Sequence, residues 1–290
     1  MTIPGLKTDT GRNGLPCVRV HTNLCQAEIY LHGSHVTHFH PQSQPKPVLW
    51  MSAKSNFAPD KPIRGGVPIC FPWFGPKADD AKAPAHGFGR LMEWKSDGSK
   101  QNTDGSVSIS MSLESDEKTR QFWPADFVAR HVVTVGRTLT MALVVTNTGS
   151  APARFEAALH TYYAVGDVKQ VSVSGLENAS YLDRLKPGER VRQNNQPIRF
   201  VGETDRTYLD TTATVTIHDP VFGRTIVVEK TGSRSTVVWN PWIAKAKAMP
   251  DFGDDEWPGM LCVETANVAE NAVTLQPGSQ HAMTASISVE

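Results

Sequence analysis

Two apolar stretches of the sequence each carry one ionisable side chain that could move a proton. His160 lies within AALHTYY, and Glu264 directly follows the Met-Leu-Cys-Val segment of GMLCVETANV. A buried carboxylate without a partner costs several kcal/mol or takes up a proton. A glutamate with a shifted pKa beside a histidine is the usual composition of a general acid/base pair. Sequence alone leaves their proximity open, and a hydrogen-bonded core histidine is the simpler interpretation of His160.

Two arginines lie in glycine-containing segments that could bind an anion or a hydroxyl group. Arg64 is in PIRGGVPICFPWFGP, and Arg90 follows His86 in AHGFGR. Glycines let backbone and neighbouring polar groups approach a ligand closely, and a guanidinium binds phosphate through paired hydrogen bonds. The alternatives are a simple turn with His86 and Arg90 solvated, and for Asp205 in ETDRTYLD an ordinary surface charge.

Four histidines in AEIYLHGSHVTHFH raise the question of a metal site: His32, His35, His38 and His40. On an unbroken strand His35 faces away from the other three, unless a bulge at Gly33 changes the parity. No carboxylate or cysteine nearby completes a usual coordination set, so structural histidines are the preferred interpretation. We expect no metal site.

The cysteines show no CxxC spacing, and in a reducing compartment they are interpreted as small buried side chains: Cys17, Cys25, Cys70 and Cys262. A catalytic Cys–His pair is the alternative.

The chain of 290 residues has 29 basic and 29 acidic side chains. A nucleic-acid or anionic-membrane partner normally requires a basic excess, so neither is expected. The N-terminal segment lacks the apolar run of a signal peptide, which predicts a cytoplasmic protein.

The elements that must position these residues are strands. Apolar residues alternate in RHVVTV, TLTMALVVTN, ARFEAALHTYY, ATVTIHD, RTIVVEK, STVVWN, AVTLQPG and HAMTASISVE. Alternation of period two with short connections predicts an all-β, antiparallel sandwich, and no linker or repeat divides residues 1–290 into two domains. Two irregular regions, Pro59 to Pro84 and Asn240 to Pro258, are where we expect the site, with a short helical turn in PWIAKAKAM.

Six motifs occur in an order and at intervals that resemble the D-hexose-6-phosphate mutarotases, a branch of the aldose 1-epimerase superfamily. They are PIRGGVPICFPWFGP, AHGFGR, LHTYY, TDRTY, VWNPW and MLCVETANV. The resemblance extends from the AEIYLHGSHV segment to the C-terminus. It implies a galactose-mutarotase-like fold, a large antiparallel β-sandwich (supersandwich) whose concave face holds the sugar.

The resemblance also implies roles for residues. Glu264 would act as general base and His160 as general acid, with an acid limb of the pH profile set by the glutamate and an alkaline limb set by the histidine. Substrate would be bound by Arg64, Arg90 and Asp205, and His86 would line the sugar site. Relatives often carry glutamine where this chain has Ala85, so one hydrogen bond to the substrate is expected to be missing or supplied by another residue.

The expected activity is that of an isomerase interconverting the α and β anomers of hexose 6-phosphates, glucose 6-phosphate first, without metal or cofactor and as a monomer. The alternatives are an aldose 1-epimerase for free hexoses and a noncatalytic sugar-phosphate-binding protein. A glycoside hydrolase would need two carboxylates at a defined separation.

Among the aromatic residues of the motifs, some could stack on a sugar, while most are expected to fill the core: Phe71, Trp73, Phe88, Tyr162, Trp239 and Trp242.

Overall fold

The alternation seen in the sequence becomes strands with one buried and one more accessible face. The computed structural model describes residues 3–186 and 188–290. In Phe127–Val135 and Leu139–Asn147 every second side chain is buried, and Gly136 and Arg137 lie in the turn that joins the two strands. This pattern fits a strand that packs on a core with one side.

In chain order the first twelve strands are β1 (Leu6–Thr10), β2 (Pro16–His21), β3 (Cys25–Tyr30), β4 (His35–Pro41), β5 (Ile69–Cys70), β6 (Lys95–Gln101), β7 (Val107–Glu114), β8 (Phe127–Val135), β9 (Leu139–Asn147), β10 (Ala153–Phe155), β11 (Ala157–Leu159) and β12 (Tyr162–Ala164). The following strands are β13 (Ser172–Ser174), β14 (Ser180–Asp183), β15 (Arg190–Arg192), β16 (Ile198–Arg199), β17 (Thr204–Tyr208), β18 (Val215–Asp219), β19 (Arg224–Thr231), β20 (Ser235–Asn240), β21 (Met260–Asn267), β22 (Val273–Leu275) and β23 (Gln280–Val289).

Two large antiparallel sheets dominate the described part of the chain. One has nine strands in the order β16-β13-β18-β19-β23-β9-β8-β7-β6, and the other has β15-β14-β17-β20-β21-β11-β5 with β12 also paired to β21. A four-stranded sheet, β1-β2-β3-β4, and the pair β10-β22 complete the architecture. One apolar cluster includes Met141 of the nine-stranded sheet and Val263 of the eight-stranded sheet. The antiparallel sandwich predicted from the alternation is confirmed.

Helices are short. The α-helices are α1 (Glu117–Phe122) and α2 (Trp242–Ala248), and short 3-10 turns span Arg12–Gly14, Gly89–Leu91, Trp257–Gly259 and Ala269–Asn271. The helix α2 confirms the helical turn expected in PWIAKAKAM. Among the described residues, no helix combines the length and apolar character needed to cross a membrane.

The segment from Ala153 to Tyr163 is not one strand, as its alternation predicted, but three. The first break is at Glu156, whose carboxylate accepts the backbone N–H groups of Phe74 (2.9 Å) and Ala269 (2.6 Å). The second is at His160, whose backbone N–H donates to the carbonyl of Pro68 (3.0 Å). The His160 bond continues the pairing of β11 with β5, and the Glu156 carboxylate fixes the segments of Phe74 and Ala269 at the junction of β10 and β11.

Candidate active site

His160 and Glu264 come together because two short strands pair with β21 in one continuous register. Leu159 of β11 lies opposite Thr265, and Tyr162 of β12 lies opposite Cys262. Continuing that register across the break sets His160 opposite Glu264. The His160 Nε2 atom is 3.4 Å from Oε1 of Glu264. The proximity that sequence left open, and that the resemblance implied, is present.

The pair is almost entirely shielded from water. His160 is 7% exposed and Glu264 is 1% exposed. Within the described residues, neither carboxylate oxygen of Glu264 has a hydrogen-bond donor, and Nδ1 of His160 has no partner. Burial raises the pKa of Glu264 well above its usual value, assisted by the negative charge of Asp205. Burial also lowers the pKa of His160, assisted by the positive charges of Arg64 and Arg90.

Both shifts favour the neutral form of the pair, a carboxylic acid beside a neutral imidazole. Transfer of one proton from Glu264 to His160 converts it to a carboxylate and an imidazolium with the same total number of protons. The geometry therefore supports a pair that holds one proton and can offer an acid and a base at the same time.

The pair opens into a cleft of about 330 Å³ to which all six residues predicted from the sequence contribute, together with nine others. Its lining consists of Arg64, Phe74, Gly75, Pro76, Ala85, His86, Arg90, His160, Arg184, Asp205, Val237, Trp239, Lys245, Met249 and Glu264. Contributors come from both irregular regions singled out in the sequence. Val237 and Trp239 are the β20 partners of Glu264 and Cys262 on β21, which places them beside the pair.

His86 is held in a fixed orientation in the cleft wall. Its backbone has a positive φ of 65°. Its Nδ1 accepts a hydrogen bond from the N–H of Gly75 (3.3 Å), which leaves the ring proton on Nε2. The ring centroids of His86 and His160 are 5.7 Å apart. Burial lowers the pKa of His86 well below its usual value, so a neutral donor is available beside the acid/base pair.

The sulfur of Cys70 lies 3.4 Å from Nδ1 of His86, which is the Cys–His contact left open by the sequence. Cys70 is completely buried, and burial raises the pKa of its thiol. A thiol that keeps its proton is a poor nucleophile. This contact therefore supports the fixed orientation of His86 and not nucleophilic catalysis.

Arg64 is engaged by protein partners at the base of the cleft. Its Nε and one terminal nitrogen each lie 3.2 Å from Oδ2 of Asp251, and the other terminal nitrogen donates to the Tyr162 hydroxyl (2.9 Å). The Tyr162 ring stacks on His160 with a centroid distance of 4.8 Å. Arg64 thus reaches the acid/base pair through Tyr162, and its charge is balanced by Asp251.

Arg90 is a buried cation of a different kind. One terminal nitrogen donates to the carbonyl of Ala85 (2.7 Å), while its Nε has no described partner. It forms no ion pair with a described carboxylate, and burial lowers its pKa. A buried, unpaired guanidinium in a cleft is suited to receive an anion or a hydroxyl.

Three further residues were not identified from the sequence: Asp251, Arg184 and Lys245. Asp251 and Lys245 lie in the irregular region from Asn240 to Pro258, where a site was expected. Nothing in the sequence distinguishes them from the other charged residues of that region. Arg184 lies in the turn sequence DRLKPGER, where nothing distinguishes it from nearby Lys186 or Arg190.

Among the described residues, one group of side chains around the acid/base pair could hold a metal ion. Ligand atoms of His160, Cys262 and Glu264 all lie within 4.8 Å of one another. Burial raises the pKa of the Cys262 thiol well above its usual value, which disfavours the thiolate that a metal would need. The positive charges of Arg64 and Arg90 nearby also oppose a cation. These residues suit proton transfer better than metal binding.

The four histidines of the early strands make ordinary structural contacts. Three of them use Nε2 on backbone carbonyls, namely His32 with Lys61, His35 with Gly65 and His40 with Gln44. A register shift in the β3–β4 pair lies at Glu28 and Ile29 and not at Gly33. None of the four lines the cleft around His160.

The aromatic residues of the motifs divide as expected between core and cleft. Phe71, Trp73, Phe88 and Tyr162 are buried and Trp242 is partly buried against the core, while Trp239 is buried and also lines the cleft. Phe74, not singled out from the sequence, also lines it. These two rings are the available surfaces on which a sugar could stack.

A second, larger cleft of about 580 Å³ lies beside the four-stranded sheet. Arg19, Glu28 and Trp50 are among its lining residues. Arg19 is already paired with Glu28 (2.9 Å) and with Asp9 (2.5 Å). Its lining includes none of the six predicted site residues, so the smaller cleft is the candidate active site.

Comparison with known proteins gives a consistent family. The aldose 1-epimerase family matches residues 16–288. A protein of Cenchrus ciliaris with the provisional name glucose-6-phosphate 1-epimerase is 40% identical over 264 residues, which cover 88% of this chain and 79% of that protein. An Escherichia coli K12 protein with the same provisional name is 36% identical over 247 residues, or 84% and 81% of the two chains.

Solved structures agree with the sequence relatives. A provisionally named mutarotase from Salmonella typhimurium superposes with a TM-score of 0.92 at 31% identity, covering 100% of this chain and 95% of that one. A galactose 1-epimerase from Lactobacillus acidophilus superposes with a TM-score of 0.71 at 10% identity, covering 98% of each chain. The second likeness concerns the fold alone, and it confirms the galactose-mutarotase-like architecture.

Proposed function

The chain belongs to the aldose 1-epimerase family, and on that premise we propose that it interconverts the α and β anomers of hexose 6-phosphates. The buried His160–Glu264 pair at the bottom of the cleft is the observation that carries this proposal. The provisional names of the Cenchrus ciliaris and Escherichia coli relatives support glucose 6-phosphate as the first substrate to test.

Interconversion of anomers requires two proton movements at neighbouring oxygens. A base removes the proton of the O1 hydroxyl while an acid protonates the ring oxygen O5, so the C1–O5 bond breaks and C1 becomes an aldehyde. Rotation about C1–C2 and closure with the reverse proton transfers produce the other anomer. Each general acid or base contributes typically about 10²–10⁴ in rate.

Glu264 and His160 together can supply both movements. With Glu264 as carboxylate and His160 as imidazolium, Glu264 takes the O1 proton and His160 gives its proton to O5. Ring opening leaves the pair as a carboxylic acid beside a neutral imidazole, which is the form that burial favours. The surroundings of the pair therefore stabilise the protonation state that accompanies the open-chain sugar, and closure restores the starting state.

The other predicted residues are assigned to the substrate. His86 offers an Nε2–H donor beside His160, Arg90 offers its unpaired guanidinium, and Asp205 offers a carboxylate at the other side of the cleft. Asp205 lies on β17 opposite Trp239, so it is one strand further from the pair than that ring. Arg64 lines the cleft and also positions Tyr162 against His160.

Two other functions are less well supported. A noncatalytic sugar-phosphate-binding protein has no need of an opposed acid and base. Three cations that line the cleft, Arg90, Arg184 and Lys245, form no ion pair with any described residue. An enzyme that acts on free hexoses has no need of these three positive charges. No second glutamate lines the cleft to form the carboxylate pair of a glycoside hydrolase around Glu264, although Asp205 lies further along it.

The proposal is tested by magnetisation-exchange NMR between the α and β anomers. Glucose, galactose and mannose 6-phosphates are compared with the corresponding free sugars, with and without protein. We expect faster exchange for at least one 6-phosphate than for its free sugar. Binding without faster exchange would support the noncatalytic alternative, and faster exchange of free sugars alone would support the free-hexose alternative.

A further inference from the structure

Two cations at the rim of the cleft, Arg184 and Lys245, have no role in the sugar contacts described so far. Arg184 directly follows β14 and Lys245 lies on α2, and both side chains are exposed while lining the cleft. In residues 3–186 and 188–290, neither cation forms an ion pair. They are accessible charges that the acid/base chemistry leaves unused.

The Arg184 side chain is held in place while its terminal nitrogens stay available. Its backbone N–H donates to the carbonyl of Asp205 (2.9 Å), and its Nε donates to the Thr207 hydroxyl (3.0 Å). The guanidinium lies 4.9 Å from the centre of the Phe74 ring. Its terminal nitrogens have no acceptor among the described residues. A guanidinium with a fixed plane and free terminal N–H groups is suited to bind two phosphate oxygens.

The location matches the far end of a sugar phosphate. Thr207 is the register partner of Val237, which is the partner of Glu264, so two strand spacings, about 10 Å, separate Thr207 from Glu264. The 6-phosphate is outside the pyranose ring, and its phosphorus is separated from C1 by O5, C5, C6 and O6. A hexose 6-phosphate with C1 between His160 and Glu264 is long enough to bring its phosphate toward Arg184.

The net positive charge of the cleft also favours binding of an anion. Arg184 and Lys245 both act to lower the pKa of Asp205 against the effect of burial, which raises it, so both lie near that carboxylate. Asp251 offsets Arg64. Among the residues that line the cleft, the three remaining cations, Arg90, Arg184 and Lys245, outnumber the single remaining carboxylate, Asp205, which leaves an excess of positive charge; Asp183 and Glu203 act on Asp205 from outside the lining. A phosphate dianion neutralises that excess.

We propose that Arg184 and Lys245 form the phosphate-binding end of the cleft and select hexose 6-phosphates over free hexoses. This inference rests on the proposed function for its choice of substrate. It differs from the expectation that Arg64 and Arg90 bind the phosphate, or that one of them does while the other binds a ring hydroxyl, because Arg64 is already engaged by Asp251 and Tyr162.

The test compares Arg184→Gln, Lys245→Gln and the double variant with the wild-type protein by anomer exchange. The matched control is Lys247→Gln, since Lys247 is on the same helix and exposed but does not line the cleft. Loss of one hydrogen bond to a charged group should raise KM for glucose 6-phosphate by about tenfold or more. The rate on free glucose should not change, and Lys247→Gln should alter neither.

A second measurement separates this inference from the proposed function. Glucitol 6-phosphate is an acyclic probe that cannot form anomers, and its binding is measured by titration calorimetry with free glucitol as the control. Weaker binding of the phosphate probe to the double variant supports the inference even if the wild-type protein exchanges no anomers. Unchanged binding and KM in the double variant, or equal losses on glucose and glucose 6-phosphate, would overturn it.

Discussion

His160 lies directly across from Glu264 on neighbouring strands, with 3.4 Å between Nε2 and Oε1, although 7% and 1% exposure leave the two residues nearly without water. The proximity results from the backbone register, in which Leu159 opposite Thr265 and Tyr162 opposite Cys262 set His160 against Glu264. On its other side the His160 N–H donates to Pro68, which continues the pairing of β11 with β5.

The rate of anomer exchange should follow a bell-shaped pH profile. At low pH the pair binds a second proton and has no base; because the pKa of His160 is lowered, this limb is assigned to the histidine. At high pH the pair loses its single proton and has no acid; because the pKa of Glu264 is raised, this limb is assigned to the glutamate. The assignment reverses the one expected from the resemblance. A rate that rises steadily through pH 9 would contradict it.

Removing either member of the pair should abolish most of the activity without unfolding the protein. Glu264→Gln and His160→Gln should each reduce the exchange rate about 10²–10⁴-fold. Tyr163→Phe is the control, because Tyr163 is fully buried on the neighbouring strand β12 but does not line the cleft. It should keep the rate and not lower the thermal midpoint. Loss of folded structure in His160→Gln, judged by circular dichroism, would instead favour a structural role for that histidine.

Arg64→Met should impair glucose 6-phosphate and free glucose by comparable factors. The reason is that Arg64 acts on the Tyr162–His160 stack and has its charge balanced by Asp251. Asp251→Asn should have a smaller effect in the same direction, since it leaves the guanidinium in place. The measurement is kcat/KM for both sugars. A loss of kcat/KM for glucose 6-phosphate alone would instead support direct binding of the phosphate by Arg64.

Gly87→Ala should destabilise the protein far more than Gly278→Ala. Both glycines have φ of +75°, but a Cβ at Gly87 would come 2.0 Å from the carbonyl oxygen of Phe71, whereas Gly278 has open space. The shared backbone penalty is about 1–2 kcal/mol. Any further loss of unfolding free energy in Gly87→Ala, compared with Gly278→Ala, measures the steric clash between the added Cβ and the Phe71 carbonyl. If urea denaturation gave the same loss of unfolding free energy for both variants, the loop at Gly87 would be able to shift and accommodate the added Cβ.

Ala85→Gln should strengthen binding of the preferred hexose 6-phosphate. Ala85 is exposed in the cleft wall, and its backbone carbonyl, which holds Arg90, is unaffected by a longer side chain. One added hydrogen bond corresponds to a several-fold decrease in KM. Measuring KM for glucose, galactose and mannose 6-phosphates would show which hydroxyl gains the contact. A KM that rises for all three would mean that the side chain obstructs the cleft.

Much of the fold follows from local pattern. The alternation in RTIVVEK and STVVWN predicts β19 and β20, and the segment PWIAKAKAM predicts α2. The exception is the segment from Ala153 to Tyr163, because the breaks at Glu156 and His160 depend on partners from remote loops. Periodicity describes one strand at a time and contains nothing about such partners.

The candidate site was only partly accessible from the sequence, for a related reason. His160 and Glu264 stand out because each is ionisable among apolar neighbours, and Arg64 and Arg90 because they lie in distinctive motifs. Arg184 and Lys245 are ordinary exposed cations until the register of β14, β17 and β20 brings their elements to one cleft. Likewise the partnership of Arg64 with Asp251 joins residues far apart in the chain.

Strand β21 pairs with β11, β12 and β20 and also carries Glu264, so the centre of the sheet and the centre of the cleft are completed by one late segment. During synthesis, β11 and β12 leave the ribosome about a hundred residues before the strand that must lie between them and β20. Pairings of such sequence separation form slowly. Until β21 emerges, the nascent chain therefore exposes unpaired strand edges, a kind of surface that favours association between incompletely folded chains.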